Sequence, residues 1–120
     1  MFKTNIYFVL AEDVIGGPRV KIGFSGDVNQ RLKDMQIGSP VKLELILSFR
    51  APSSVEAKLH KAFAKYHIHG EWFELSEPIV LMIGQIYRDY GEAVTAKSRW
   101  VTAGIDRFDG ELPPSLAAVV

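Results

Sequence analysis

Five polar residues stand in or beside apolar patterns in this chain: Tyr7, Lys21, Arg31, Glu56 and His60. Their types complement one another. A carboxylate such as Glu56 can hold a divalent cation through oxygen. The Arg31 guanidinium can take a phosphate through two parallel hydrogen bonds. A Tyr7 phenol close to Lys21 and Arg31 has its ionised form favoured, so its pKa is expected to fall from about 10. Metal ligand, base and cation clamp are the parts needed to hydrolyse a phosphodiester.

Each residue also has a plainer reading. Tyr7 can be a half-buried strand residue with its hydroxyl bonded to a neighbour. Lys21 can run its stem along a strand edge and keep its ammonium in water. Arg31 can pair with Asp27 or Asp34 on its own helix. Ser53-Ser54-Val55-Glu56 has capping-box spacing, so Glu56 can simply close a helix N-terminus. His60, with His67 and His69, hints at a transition-metal site, but no second group of ligands supports one.

The elements that must position these residues follow from periodicity. "NIYFVL" (Asn5–Leu10) reads as a strand, "AEDVIGGPR" as a hairpin loop, and Arg19–Phe24 as the paired strand. Val20, Ile22 and Phe24 form its buried face, and Gly23 leaves room for a close approach to the backbone. Pairing through the hairpin puts Tyr7 and Lys21 on one face. Asp27, with Gln30 three residues on at capping-box spacing, is the expected N-cap of a helix carrying Val28, Leu32 and Met35, ended by Gly38-Ser39-Pro40. In "VKLELILSF" the residues Leu43, Leu45, Leu47 and Phe49 are expected on one face of a third strand.

Pro52 and Ser53 open a second helix, with a stripe of Val55, Leu59, Ala62, Phe63 and Tyr66. Glu56 and His60 lie four apart beside that stripe. "EWFEL" is short and extended, with Trp72 and Phe73 expected mostly in the core. A third helix begins after Ser76 and presents Ile79, Ile83, Ile86, Tyr87 and Tyr90, with Gly91 as its C-cap. The expected class is α+β: a three-stranded antiparallel sheet flanked by helices, in the order β-β-α-β-α, then a short extended segment and a helix. The domain is expected over 1–91. Residues 92–120 are expected to form a C-terminal extension, irregular or packed on the body, in which Trp100, Ile105 and Phe108 could pack on the body or on a second subunit.

Composition narrows the classes. With no cysteine, a disulfide framework and a thiolate metal site are excluded. A net charge of zero argues against a non-specific nucleic-acid coat. The charge is uneven: residues 1–70 hold ten Lys/Arg against six Asp/Glu, and residues 71–120 hold four against eight. An anionic partner would meet the first part, although ordinary scatter in a small protein gives the same imbalance. The apolar run near Met1 is too short to cross a membrane, and no small-residue cleavage site follows it. The expectation is a cytoplasmic protein with no membrane partner.

Taken together, "IYF" (Ile6–Phe8) and "KIG" (Lys21–Gly23) resemble the two signature strands of the GIY-YIG nuclease superfamily. Arg31 in "NQRLKDMQ" matches its helix arginine, and Glu56 in "SSVEAKLHKAF" its metal-binding glutamate. The run "VKIG…RL…E…LH…F…GEWF" is especially similar to a phage- and bacteria-associated branch of that superfamily. The resemblance covers roughly residues 5–75, and its four pieces are specific only in combination. It departs at Asn5, where the family name has glycine, and at Lys21, where many members carry a tyrosine. Glu71 falls in the region of an asparagine that many members use, and is a second candidate metal ligand or a structural acid.

The resemblance implies a metal-dependent endonuclease hydrolysing DNA phosphodiester bonds with one Mg²⁺ or Mn²⁺. Tyr7, Lys21, Arg31 and His60 would be catalytic and Glu56 the metal ligand. The partner would be DNA, with a homodimer and a separate targeting protein as further expectations. The alternative is a catalytically silent, nuclease-derived DNA-binding module. A protein-interaction domain that oligomerises through its tail is a third reading.

Overall fold

Alternating apolar residues and the Gly16-Gly17-Pro18 loop make the first hairpin. In the computed structural model, which describes residues 4–90, β1 (Asn5–Ala11) pairs antiparallel with β2 (Arg19–Ser25) in the register Tyr7↔Gly23 and Val9↔Lys21. Gly16 and Gly17 have φ of 94° and 100°, a backbone region that favours glycine, so the loop chemistry and the turn agree. β3 (Leu43–Arg50) pairs with the other edge of β1.

Helix α1 (Val28–Ile37) joins β2 to β3. Asp27 caps it through a 3.0 Å bond from Gln30 N to its Oδ1. Gln30 does not close the capping box. Its side chain bonds Asp34 at 3.0 Å, and Ser25 Oγ accepts from Asp27 N instead. After β3 come α2 (Ser54–Ala62), a 3₁₀ turn over Ala64–Tyr66, β4 (His67–His69), β5 (Trp72–Glu74) and α3 (Glu77–Tyr90).

The expected three-stranded sheet is a five-stranded one, in the order β3-β1-β2-β5-β4. The second helix ends four residues before Tyr66, and the chain then forms a short hairpin that turns at Gly70. Three-residue strands carry too little periodicity to be read from sequence. The α+β class stands.

Alternation divides the sheet into two faces. Ile6, Phe8, Leu10, Val20, Ile22, Leu47 and Phe49 form the larger core with Val55 and Leu59 of α2, Phe63 just after it, and Ile79, Ile83 and Ile86 of α3. Tyr7, Val9, Ala11 and Leu43 form the smaller one with Val28, Leu32 and Met35 of α1. The single apolar face expected along β3 is divided between them. A bulge opposite Phe8 and Val9 inserts Ile46, so Leu43 and Leu45 meet α1 while Leu47 and Phe49 turn to the opposite core. Phe24, expected to be buried, is 41% exposed because it lies near the end of β2, beyond the reach of β5. Gly91 and the whole of 92–120 lie outside the described residues.

Candidate functional site

The centre of the site is the pair Tyr7 and Gly23. Paired residues of neighbouring strands put their side chains on the same face. Gly23 has none, so the Tyr7 phenol lies over its backbone. A Cβ at position 23 would collide with Oη and Cζ of Tyr7 and fall 2.9 Å from Glu71 Oε2. The group for which Gly23 leaves room is therefore the phenol itself, beside a carboxylate from the turn between β4 and β5.

Lys21 and Tyr7 share this face, as the hairpin implies. Lys21 Nζ sits 3.8 Å from Glu71 Oε2 and 5.8 Å from the centre of the Trp72 ring. Arg31 projects from the exposed side of α1. Its guanidinium reaches the neighbourhood of Tyr7 Oη and favours the phenolate, but completes no well-formed hydrogen bond. The hydroxyl is buried and has no bonding partner. The Tyr7 phenol, with the Glu71 and Asp34 carboxylates, in turn raises the Arg31 pKa further above its ordinary value.

Glu56 and His60 arrive from the opposite layer. β5 pairs with β2 only from Arg19 to Lys21, so the edge of β2 is free of a strand from Ile22 onward. Ile22 N donates to Glu71 O at 3.0 Å, and Ile22 O lies 2.7 Å from His60 Nε2. The same nitrogen is 2.8 Å from Glu56 Oε1. Both neighbours are acceptors, so the arrangement that satisfies them puts the hydrogen on Nε2. Glu56 is thus tied to the sheet through His60. The capping reading of Glu56 lacks its other half, because Ser53 makes no side-chain cap bond.

The electrostatics correct one expectation. The Tyr7 pKa is raised from 10.0 rather than lowered. Burial is the largest cause. Arg31 opposes it, while Glu71 and Glu56 add to it. Lys21 lies against Glu71 and is not among the groups that shift the Tyr7 phenol, so the two-cation argument loses one cation. Tyr7 is a neutral phenol near neutral pH. The Glu56 carboxyl is also held above its usual range, by burial first and by the negative charge of Glu71, with His60 pulling the other way.

Two further expectations shift. Trp72 is half-buried on the α1 face, while Phe73 alone of the pair is in the larger core. Neighbours on a strand point to opposite faces, so the alternation in "EWFEL" could have shown this. His67 and His69 are exposed on β4, and His67 Nε2 is 2.8 Å from Gly70 O. Among the described residues, no group of three or more His, Cys, Asp or Glu could form a metal cage.

One or two carboxylates still suit a hard cation. Glu56 resists ionisation beside Glu71, and a divalent ion there would relieve both burial and repulsion. Mg²⁺ is commonly held by one or two carboxylates, with water and phosphate oxygens completing its shell. Glu56 would be the ligand of such an ion, with Glu71 as its neighbour.

A comparison with protein families now bears on this arrangement. The T5orf172 domain matches residues 5–100, most of the chain. The chain belongs to the T5orf172 domain family. That domain is found in phage and bacterial nuclease-like proteins and is loosely related to the GIY-YIG nucleases. Membership points to a nuclease-like or DNA-binding function, with DNA as the partner. Neither a curated protein nor a solved structure matches this T5orf172 chain. Among its described residues no helix is long and apolar enough to cross a membrane.

Proposed function

We propose that this T5orf172 domain is a DNA endonuclease that hydrolyses phosphodiester bonds with one Mg²⁺ or Mn²⁺. The observation that carries the reading is the buried Tyr7 hydroxyl, left without a partner between a guanidinium and carboxylates. An unpaired buried hydroxyl costs about 1–3 kcal/mol, and a phosphate oxygen or a water at this point would satisfy it. In the reaction a water oxygen bonds to phosphorus and gives up one proton, one P–O ester bond breaks, and the leaving oxygen takes a proton.

The neutral Tyr7 phenol accepts a hydrogen bond from the attacking water and donates one to the phosphate, fixing the line of attack. Arg31 neutralises charge on the non-bridging oxygens. Lys21 holds Glu71 in place and adds positive charge beside the phosphate. His60 orients Glu56 through its Nε2 hydrogen and leaves Nδ1 to take up a proton, after which that nitrogen can donate to phosphate. Glu56, with Glu71 beside it, would hold the cation, which when bound would supply Lewis-acid polarisation and stabilise the leaving oxygen.

A plasmid-nicking assay with Mg²⁺ or Mn²⁺ tests this. Wild type should nick, and Arg31→Ala should not, with stability within about 0.5 kcal/mol because the residue is exposed. Nicking by both proteins at equal rate would remove Arg31 from the site. Salt-sensitive DNA binding with no cleavage by wild type would establish the silent binding module instead.

A further inference from the structure

The nuclease reading leaves Trp72 unused. Its strand neighbour Phe73 is fully buried, with the rings of His60 and His67 edge-on against it. Trp72 points the other way. It packs beside the smaller core, and its remaining surface lines two adjoining hollows of about 340 and 350 Å³ that share Ser39, Pro40, Leu43 and Trp72. Volumes above about 300 Å³ are in the range of ligand sites.

The chemistry of this trough is specific. Met35, Pro40 and Leu43 line the same hollow as the indole and make it largely apolar. Cations stand on the side of the sheet: Lys21 borders one hollow and Arg19 the other. Among the described residues Arg19 is held by only a long 3.5 Å bond to Ile15 O. Asp34, in the same hollow, is occupied by Gln30. Lys21 touches both regions, lying 5.8 Å from the Trp72 ring centre and 3.8 Å from Glu71. The trough is thus continuous with the Tyr7 site through one side chain.

We propose that this trough is a nucleobase-stacking subsite, in which Trp72 receives an unpaired base of a DNA strand whose phosphate lies at Tyr7 and Arg31. The proposal rests on the nuclease reading and narrows its substrate class. A planar base laid on the indole would meet the apolar side chains of the trough, and the flanking cations match the sugar-phosphate chain. In a duplex both faces of a base are covered by its neighbours in the stack. Stacking on Trp72 therefore needs single-stranded or locally opened DNA.

The test is fluorescence anisotropy with the full chain in EDTA, which holds back cleavage. The two probes are a labelled oligothymidylate of about ten nucleotides and an abasic chain of equal length and charge. Wild type should bind the base-bearing probe more tightly. Trp72→Ala should weaken that binding by about 5- to 150-fold and leave the abasic probe unaffected, and Trp72→Phe should restore most of the loss. Equal binding of both probes by wild type, or equal loss on both by Trp72→Ala, would overturn the subsite. If plasmid is still nicked in that case, only the subsite fails. If neither probe binds and no plasmid is nicked, the nuclease reading has failed and the subsite with it.

Discussion

The two faces of the sheet are built from the same strands and serve opposite ends. Toward α2 and α3, Ile6, Phe8, Val20 and Ile22 meet apolar side chains on every side and are fully buried. Toward α1, the alternate residues are Tyr7, Lys21 and Gly23, with a hydroxyl left unpaired and a hollow beside Trp72. The closed face is where burial stabilises the chain, at about 25 cal/mol per Å² of apolar surface. The other face keeps the buried Tyr7 hydroxyl without a bonding partner, close to the Arg31 guanidinium.

Substitutions can break or sharpen this contrast. The largest effect is expected on the closed face. Ile79→Ala opens a cavity in the larger core and should cost about 2–5 kcal/mol in denaturant unfolding, while the surviving folded molecules nick DNA normally. A specific activity that falls with stability would show that the two faces are not separable.

Gly23→Ala comes next, because its Cβ would collide with the Tyr7 phenol. A cost of about 1–3 kcal/mol is expected from overpacking, together with loss of nicking. Full activity would mean that the phenol can move without consequence.

Tyr7→Phe should do the reverse. Removing a buried, unpartnered hydroxyl should raise stability by about 1 kcal/mol and lower the nicking rate. The raised pKa adds a pH signature. Folding that disfavours the phenolate adds stability that is lost as pH rises above 10.0. Wild type should therefore weaken there relative to Tyr7→Phe in thermal melts, and parallel curves would contradict the burial assignment.

Glu56→Gln carries the smallest effect without metal. A raised carboxyl pKa contributes stability that is present in acid and lost as pH rises past 4.5. The variant should match wild type in acid and exceed it near neutrality. Added Mg²⁺ should raise the melting temperature of wild type only. A metal-induced rise in the variant as well would place the ion elsewhere.

Much of this was legible in the residues. The hairpin, the Asp27 cap, the three helices and the α+β class follow from local pattern, which needs only neighbours in sequence. The small β4–β5 hairpin and the β3 bulge did not, because three residues or one inserted residue leave no period to detect. The candidate set of Tyr7, Lys21, Arg31, Glu56 and His60 was legible as types in order. Its electrostatics were not: they depend on burial and on which charge is already engaged, and Glu71 takes up Lys21 while burial outweighs Arg31 at Tyr7.

The sequence by itself determined how β1 and β2 alternate, and so placed the phenol and the lysine together on one face. Only the tertiary structure decided that the short β5 leaves the edge of β2 open at Ile22. Through that gap His60 bonds the strand and brings Glu56 round from the opposite layer. The reason is physical. Side-chain direction along a strand is local and repeats every second residue, whereas the end of a strand pairing and the approach of a helix from the other layer depend on where the whole chain packs.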